Sequence, residues 1–242
     1  MLLKAGADPN SAHPTSLTTP LHLAATVGCA KVMAELIVAG ANLNSRLGNG
    51  ETSLLKAAFE GKLVAVKILL CMKANPLLTG DCVEDPGTSV VPLDMAARNG
   101  HVEVVRELIQ ELGIEGCGGG SGGEDALEFA AENRHVEIME LLTSAGVIDA
   151  GEALVAAAQF GCQSSVKFLL QQRKEKNLCE CFGVAVWYAA IGSAEFSTSK
   201  IVRMLVDAGT DTGMDTLFES PEGEVLFDGT PLAFTNKLLR EK

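Results

Sequence analysis

Apolar residues recur along this chain with a helical period, in paired blocks, and not in the strict alternation of half-exposed strands. Each pair holds a short block with two adjacent alanines, a turn carrying Gly, and a longer block of Val, Leu and Ile. The pattern occupies Thr19 to Asn44, Thr52 to Pro76, Val91 to Gly113 and Asp125 to Gly146, with looser copies at Glu152 to Leu170 and Ala185 to Gly209. The short blocks are anchored at Leu21, Leu54, Leu93, Leu127, Leu154, Val186 and Leu232, spaced 33, 39, 34, 27, 32 and 46 residues apart. A base period near 33, lengthened by insertions and shortened once, predicts stacked helix-turn-helix units: an all-α solenoid with connecting hairpin loops.

Local chemistry supports these helices. Thr19 and Pro20 suit a first turn, the hydroxyl as an acceptor of backbone N–H groups and Pro because its absent donor costs nothing there. The alanine pairs (Ala24-Ala25, Ala57-Ala58, Ala96-Ala97, Ala130-Ala131, Ala157-Ala158, Ala189-Ala190) keep the first helix slim where its neighbours approach. Gly28, Gly61, Gly100, Gly161 and Gly192 fall where that helix must end in a left-handed conformation, and Arg134 holds the place in the fourth copy. Val32, Leu36 and Ile37, echoed by Val104, Leu108 and Ile109, predict the core stripe of the second helix.

TPLHLAA at Thr19 to Ala25, GHVEVV at Gly100 to Val105 and GADPN at Gly6 to Asn10 resemble the signature, second-helix opening and hairpin start of the ankyrin repeat family. The resemblance implies a single ankyrin-repeat domain over 1–242, with units at 1–15 (partial), 16–47, 48–86, 87–121, 122–148, 149–180, 181–226 and 227–242 (partial). It also implies hydrogen bonds from the Thr/His pair that tie neighbouring hairpins. The His position becomes Leu55, Asp94, Glu128, Val155, Trp187 and Ala233 in later copies, so the later hairpins are expected to be less regular. Trp187 reads as buried filler. Both ends fall inside a unit, which predicts a segment of a larger protein and fraying at both ends, residues 230–242 included.

Charge adds a second layer. Of the net −12, thirteen acids lie in the base-free stretches 77–89, 111–125 and 211–229, leaving the repeat body near neutral. Asp81, Glu84, Asp85, Glu219, Glu222 and Glu224 represent these acidic loops. Two readings stand: the insertions are simply solvated, or acidic fingers along one edge steer a basic partner. Phosphate contacts need Lys and Arg, so nucleic acid is disfavoured. The run Arg173-Lys174-Glu175-Lys176 is short and interrupted, and reads as a solvated helix end.

Chemical motifs are sparse. Gly118, Gly120 and Gly123 spell G-x-G-x-x-G, but a helix precedes them where a dinucleotide site requires a strand, and a flexible insertion explains them better. Cys179 and Cys181 have no second Cys or His pair nearby to complete a zinc site, and the seven cysteines lack framework spacing. They read as small hydrophobes in a reducing compartment. His101 and His135 recur at second-helix starts, a slot that Cys29 and Cys162 share, so repeat periodicity accounts for them without catalysis. No secretory signal and no apolar run of the ~18 residues a membrane span needs is present.

Ankyrin-like stacks bind through hairpin tips and the exposed end of the first helix, which line a concave groove. Repeat phase places Asn49 and Glu51, Phe59 and Glu60, Arg98 and Asn99, Glu132 and Asn133, and Gln159 and Phe160 there. Phe59 and Phe160 serve either as interface anchors or as packing against the neighbouring hairpin. The expectation is a non-catalytic, monomeric scaffold for a partner protein, without cofactor or metal, in the cytoplasm or nucleus. The alternative is a regulatory ankyrin segment of a larger enzyme or channel whose catalytic part lies outside this chain.

Overall fold

Each apolar pair folds as two helices across a tight turn. The computed structural model describes residues 3–81, 88–117, 124–147, 151–176, 196–208, 216–219 and 225–229. Its helix pairs are α1 (Pro20–Val27) with α2 (Ala30–Val38), α3 (Ser53–Phe59) with α4 (Leu63–Cys71), α5 (Pro92–Arg98) with α6 (Val102–Cys117), α7 (Glu124–Glu132) with α8 (Val136–Ser144), and α9 (Glu152–Gln159) with α10 (Gln163–Lys176). Helix α11 (Phe196–Asp207) follows. Strands β1 (Gly80–Asp81) and β2 (Ser89–Val90) pair antiparallel ahead of α5, with Gly80 opposite Val90. This inserted hairpin accounts for the long spacing between Leu54 and Leu93. A second antiparallel pair, β3 (Thr216–Glu219) with β4 (Val225–Gly229), occupies the acidic stretch near the C-terminus and crosses the unit boundary expected at 226/227.

The chain divides into two compact units, Met1–Ala130 with Glu137–Ile148, and Ala131–Val136 with Asp149–Lys242. In the first, α1, α3 and α5 pack side by side in chain order, as do α2, α4 and α6. The anchors Leu21, Leu54, Leu93 and Leu127 are buried, and Ala25, Ala57, Ala58, Ala96, Ala97 and Ala130 are wholly inaccessible, so the small side chains sit where helices meet. In the second, α9 packs on α10 and α10 on α11, around Leu154, Ala157, Val166 and Leu169.

The turn expectation is met. Gly28, Gly61, Gly100 and Gly161 have φ of 80°, 65°, 76° and 69°, and Arg134 takes 65° in their place. Gly61 faces a second demand, because a Cβ there would lie 2.5 Å from Nδ1 of His101. That imidazole crosses from the following repeat and donates from Nε2 to the Phe59 carbonyl at 2.9 Å. Cys162, in the same slot of its own repeat, donates its thiol to the Glu132 carbonyl at 2.9 Å. The shared slot is therefore a repeat-to-repeat stitch, not a catalytic pairing.

The Thr/His tie also forms. The backbone N–H and hydroxyl of Thr19 donate to Nδ1 of His22 at 3.2 and 2.8 Å, and Nε2 donates to the Ser45 carbonyl of the next hairpin at 3.0 Å. These bonds require the neutral ring, and burial lowers the His22 pKa, partly offset by the backbone bonds it makes. The loops carry a further ladder that the helical period does not reveal. Asp8, Asn42 and Asn75 each accept, through the side chain, the backbone N–H two residues on. Asn10 accepts from Asn42 N at 2.7 Å and Asn44 accepts from Asn75 N at 3.0 Å, joining consecutive repeats. Leu77 occupies the next place and ends the ladder. Asn44→Ala should lower stability by ~1 kcal/mol in a urea titration, with Asn44→Asp retaining most of it because an acceptor remains.

Four expectations are corrected. Val32 is 44% exposed and Met33 takes its core place beside Leu36. The later equivalents of Val32 (Ala65, Val104, Ile138) are buried against a preceding helix pair, and among the described residues α2 has none. The stretch 111–125 is not simply loop: Glu111 lies on α6 and bonds Lys73 at 3.1 Å, α6 is interrupted at Gly113, and Glu124 and Asp125 open α7. The acidic stretch 211–229 holds a strand pair, with Glu219 on β3. Cys71 is exposed, not packed as a hydrophobe. The expectations at Gly118 to Gly123, Cys179, Cys181, Val186, Trp187, Ala189-Ala190, Gly192 and 230–242 lie outside the described residues.

Candidate binding face

The first-helix row of the first unit presents one turn of each helix to solvent, and repeat phase aligns these turns in columns. Between the His position and the alanine pair stand Leu23, Lys56, Met95 and Phe129; past the alanine pair stand Val27, Phe59 with Glu60, and Arg98 with Asn99. Leu23 is 61% and Val27 73% exposed, one helical turn apart on α1. On α3, Lys56 reaches back to Glu51 at 2.7 Å, while Glu60 is exposed. On α5, Met95 is buried with Leu55 and Val90, and Phe59 and Phe129 pack against that cluster from either side. The Arg98 guanidinium lies 5.1 Å over the Phe129 ring, a cation–π contact at the surface.

The sequence-derived candidates divide accordingly. Phe59, Glu60, Arg98 and Asn99 come together on this face, with Asn99 exposed and donating its side-chain N–H to the Met95 carbonyl. Phe59 is half-buried against the cluster, so the packing reading describes it. Asn49 is half-buried in the hairpin, where its carbonyl accepts from Asp81 N at 2.9 Å. Glu51 is 3% exposed and is removed from the accessible set. The next hairpin lies directly against it, since a Cβ on Gly80 would stand 2.8 Å from the Glu51 Cα. In the second unit Glu132 is half-buried, Asn133 and Gln159 are exposed, and Phe160 is 54% exposed. Asp81 is exposed on β1, Glu219 lies on β3, and Glu84, Asp85, Glu222 and Glu224 fall outside the described residues.

Sequence reasoning missed Leu23 and Val27, the most exposed apolar pair of the row. A signal existed: their columns carry Lys56 and Glu60 in the next repeat, so apolar residues there are not owed to the core. Among the described residues no three His, Cys, Asp or Glu side chains gather as metal ligands, and no helix is long and apolar enough to cross a membrane.

Comparisons with known proteins agree with this geometry. A family model described as "Ankyrin repeats (3 copies)" matches residues 1–80 and 77–152. The human ASB11 ankyrin repeat domain superposes with a TM-score of 0.62 over 93% of this chain and 98% of its own, at 22% identity. The ankyrin repeat and KH domain-containing protein mask-1 of Caenorhabditis elegans is 28% identical over 197 residues, covering 79% of this chain and 7% of that protein. The ARF GTPase-activating protein Git of Drosophila melanogaster is 43% identical over 68 residues, covering 28% of this chain and 9% of that protein. A transient receptor potential cation channel subfamily A member 1 homolog of C. elegans is 28% identical over 159 residues, covering 64% and 13%. The chain thus spans a small fraction of these three relatives' length. With the signature residues, the stacked helix pairs and a family model covering more than half of its residues, the chain belongs to the ankyrin-repeat family.

Proposed function

We propose that the chain is a non-catalytic interaction scaffold that holds a partner protein against the exposed face of α1, α3 and α5. Ankyrin repeats are generally protein-interaction modules, and the observation that carries this particular face is the solvent-exposed Leu23 and Val27 on α1, in the same first-helix row as the Arg98–Phe129 pair. Exposed apolar side chains in one row with an arginine on an aromatic ring have the composition of an interface core. The partner is basic, steered by Asp81 and the acids that follow it in the β1–β2 hairpin sequence. The scaffold works as a monomer in the cytoplasm or nucleus.

A second reading, a regulatory ankyrin segment of a larger enzyme or channel, is favoured by the small share of each relative that the chain spans. In both readings this segment contributes binding. Arg98→Ala should weaken capture of the partner ~10-fold, the loss of one interface hot spot, with the circular dichroism unchanged. Phe59→Ala should weaken capture and also lower the melting temperature, because Phe59 packs on the Leu55–Val90–Met95 cluster. Unaltered capture by Arg98→Ala would move the site to the acidic hairpins.

A further inference from the structure

In α5 the place of His22 is taken by Asp94, and the bridge changes character. Asp94 is 1% exposed. Its Oδ2 accepts the Val91 backbone N–H at 2.8 Å, closing the helix start, but Oδ1 is buried with no hydrogen-bond partner. Among the described residues Asp94 makes no counterpart of the bridge that His22 makes to its following hairpin. Among the described side chains, the charged ones on the surrounding elements are Lys56 on α3 with Glu60 just past its end, Arg98 on α5, Glu103, Arg106, Glu107 and Glu111 on α6, and Asp125, Glu128 and Glu132 on α7. The field that acts on Asp94 is that of Asp125, a like charge. Burial outweighs the capping bond, and Asp125 adds to burial, so the pKa rises from 3.8 to about 8. Next to Asp94, Met95 packs with Phe129 of α7, and Arg98 lies over the same ring, so the α5–α7 contact sits beside the buried carboxyl.

We propose that Asp94 is a proton-held latch between α5 and α7: neutral, it stays buried and the junction is closed; ionised, it drives local opening of those helices. The closed state keeps a proton that the open state gives up, so closure is favoured at low pH and weakens as pH rises toward the folded-state value.

Native-state hydrogen exchange on the full chain, corrected for the intrinsic pH dependence of exchange, reads it directly. Above about pH 6.5, where the His22 tie of α1 is complete, opening of α5 and α7 should still increase ~tenfold per pH unit, one proton being released on opening, bending over as pH approaches about 8 and levelling beyond it, while α1 stays flat. Asp94→Asn keeps the acceptor for Val91 and cannot ionise, so it should abolish the increase. Asp125→Asn should shift the window to lower pH. Wild-type protection of α5 and α7 that is flat with pH, or an increase that survives Asp94→Asn, overturns the proposal. A carbon NMR titration of the wild-type carboxyl guards against a variant that fails to fold: Asp94 titrating near pH 8 is expected, and titration in the ordinary aspartate range overturns it.

Discussion

Replacing Gly61 with Ala should lower stability by about 2–4 kcal/mol, a large loss for adding a single methyl group. Two costs combine. The φ of 65° puts any L side chain in the left-handed region, which costs ~1–2 kcal/mol. The added Cβ would also meet the His101 ring at 2.5 to 2.8 Å, forcing it off the Phe59 carbonyl and breaking the stitch between the second and third repeats. Gly40 separates the two terms, because its φ is 91° but a Cβ there meets nothing within 4 Å. Gly40→Ala should therefore cost only ~1 kcal/mol, the conformational part alone. Urea midpoints of the two variants provide the check, and equal losses would remove the steric argument.

His22→Ala should cost about 3–5 kcal/mol, from a cavity in place of a buried ring and from unpaired groups on Thr19 and Ser45. His22→Leu should cost roughly half as much, since Leu55 fills the equivalent place in α3 wholly buried, leaving mainly the lost hydrogen bonds. The pH dependence has a definite sign. The folded-state pKa lies below the ordinary 6.5, so the neutral ring's contribution is complete above pH 6.5 and is lost as pH falls through the folded-state value. Wild-type stability should decline on that acid side more steeply than that of His22→Leu.

The repeat was legible because its evidence recurs. Leu21, Leu54, Leu93, Leu127 and Leu154 hold one phase, the alanine pairs follow each at a fixed offset, and every one of these anchors is buried. What repeat phase cannot supply is the neighbour. Val32 and Val104 share a column, yet the first is exposed and the second buried, because burial depends on whether a helix pair lies against that column. Glu51 looked like a surface residue until the adjacent hairpin closed over it, and Lys56 supplies the charge that makes this tolerable. The β1–β2 pair is two residues per strand, too short for an alternating pattern to register. The Asn10 and Asn44 ladder is hidden in loops that polar composition alone describes equally well. On the proposed binding face, Phe59 and Arg98 were named from repeat phase, whereas the prominence of Leu23 and Val27 depends on their exposure in the fold.

The central claim is that partners are held on the first-helix face and not elsewhere on the repeat body. Two charge-introducing variants test it side by side: Leu23→Glu with Val27→Glu on that face, and Val38→Glu on α2, where the native side chain is 89% exposed. Proteins captured by the wild type should be retained by Val38→Glu and reduced ~10-fold or more by the double variant. Equal retention by both variants, or equal loss from both, would contradict the account.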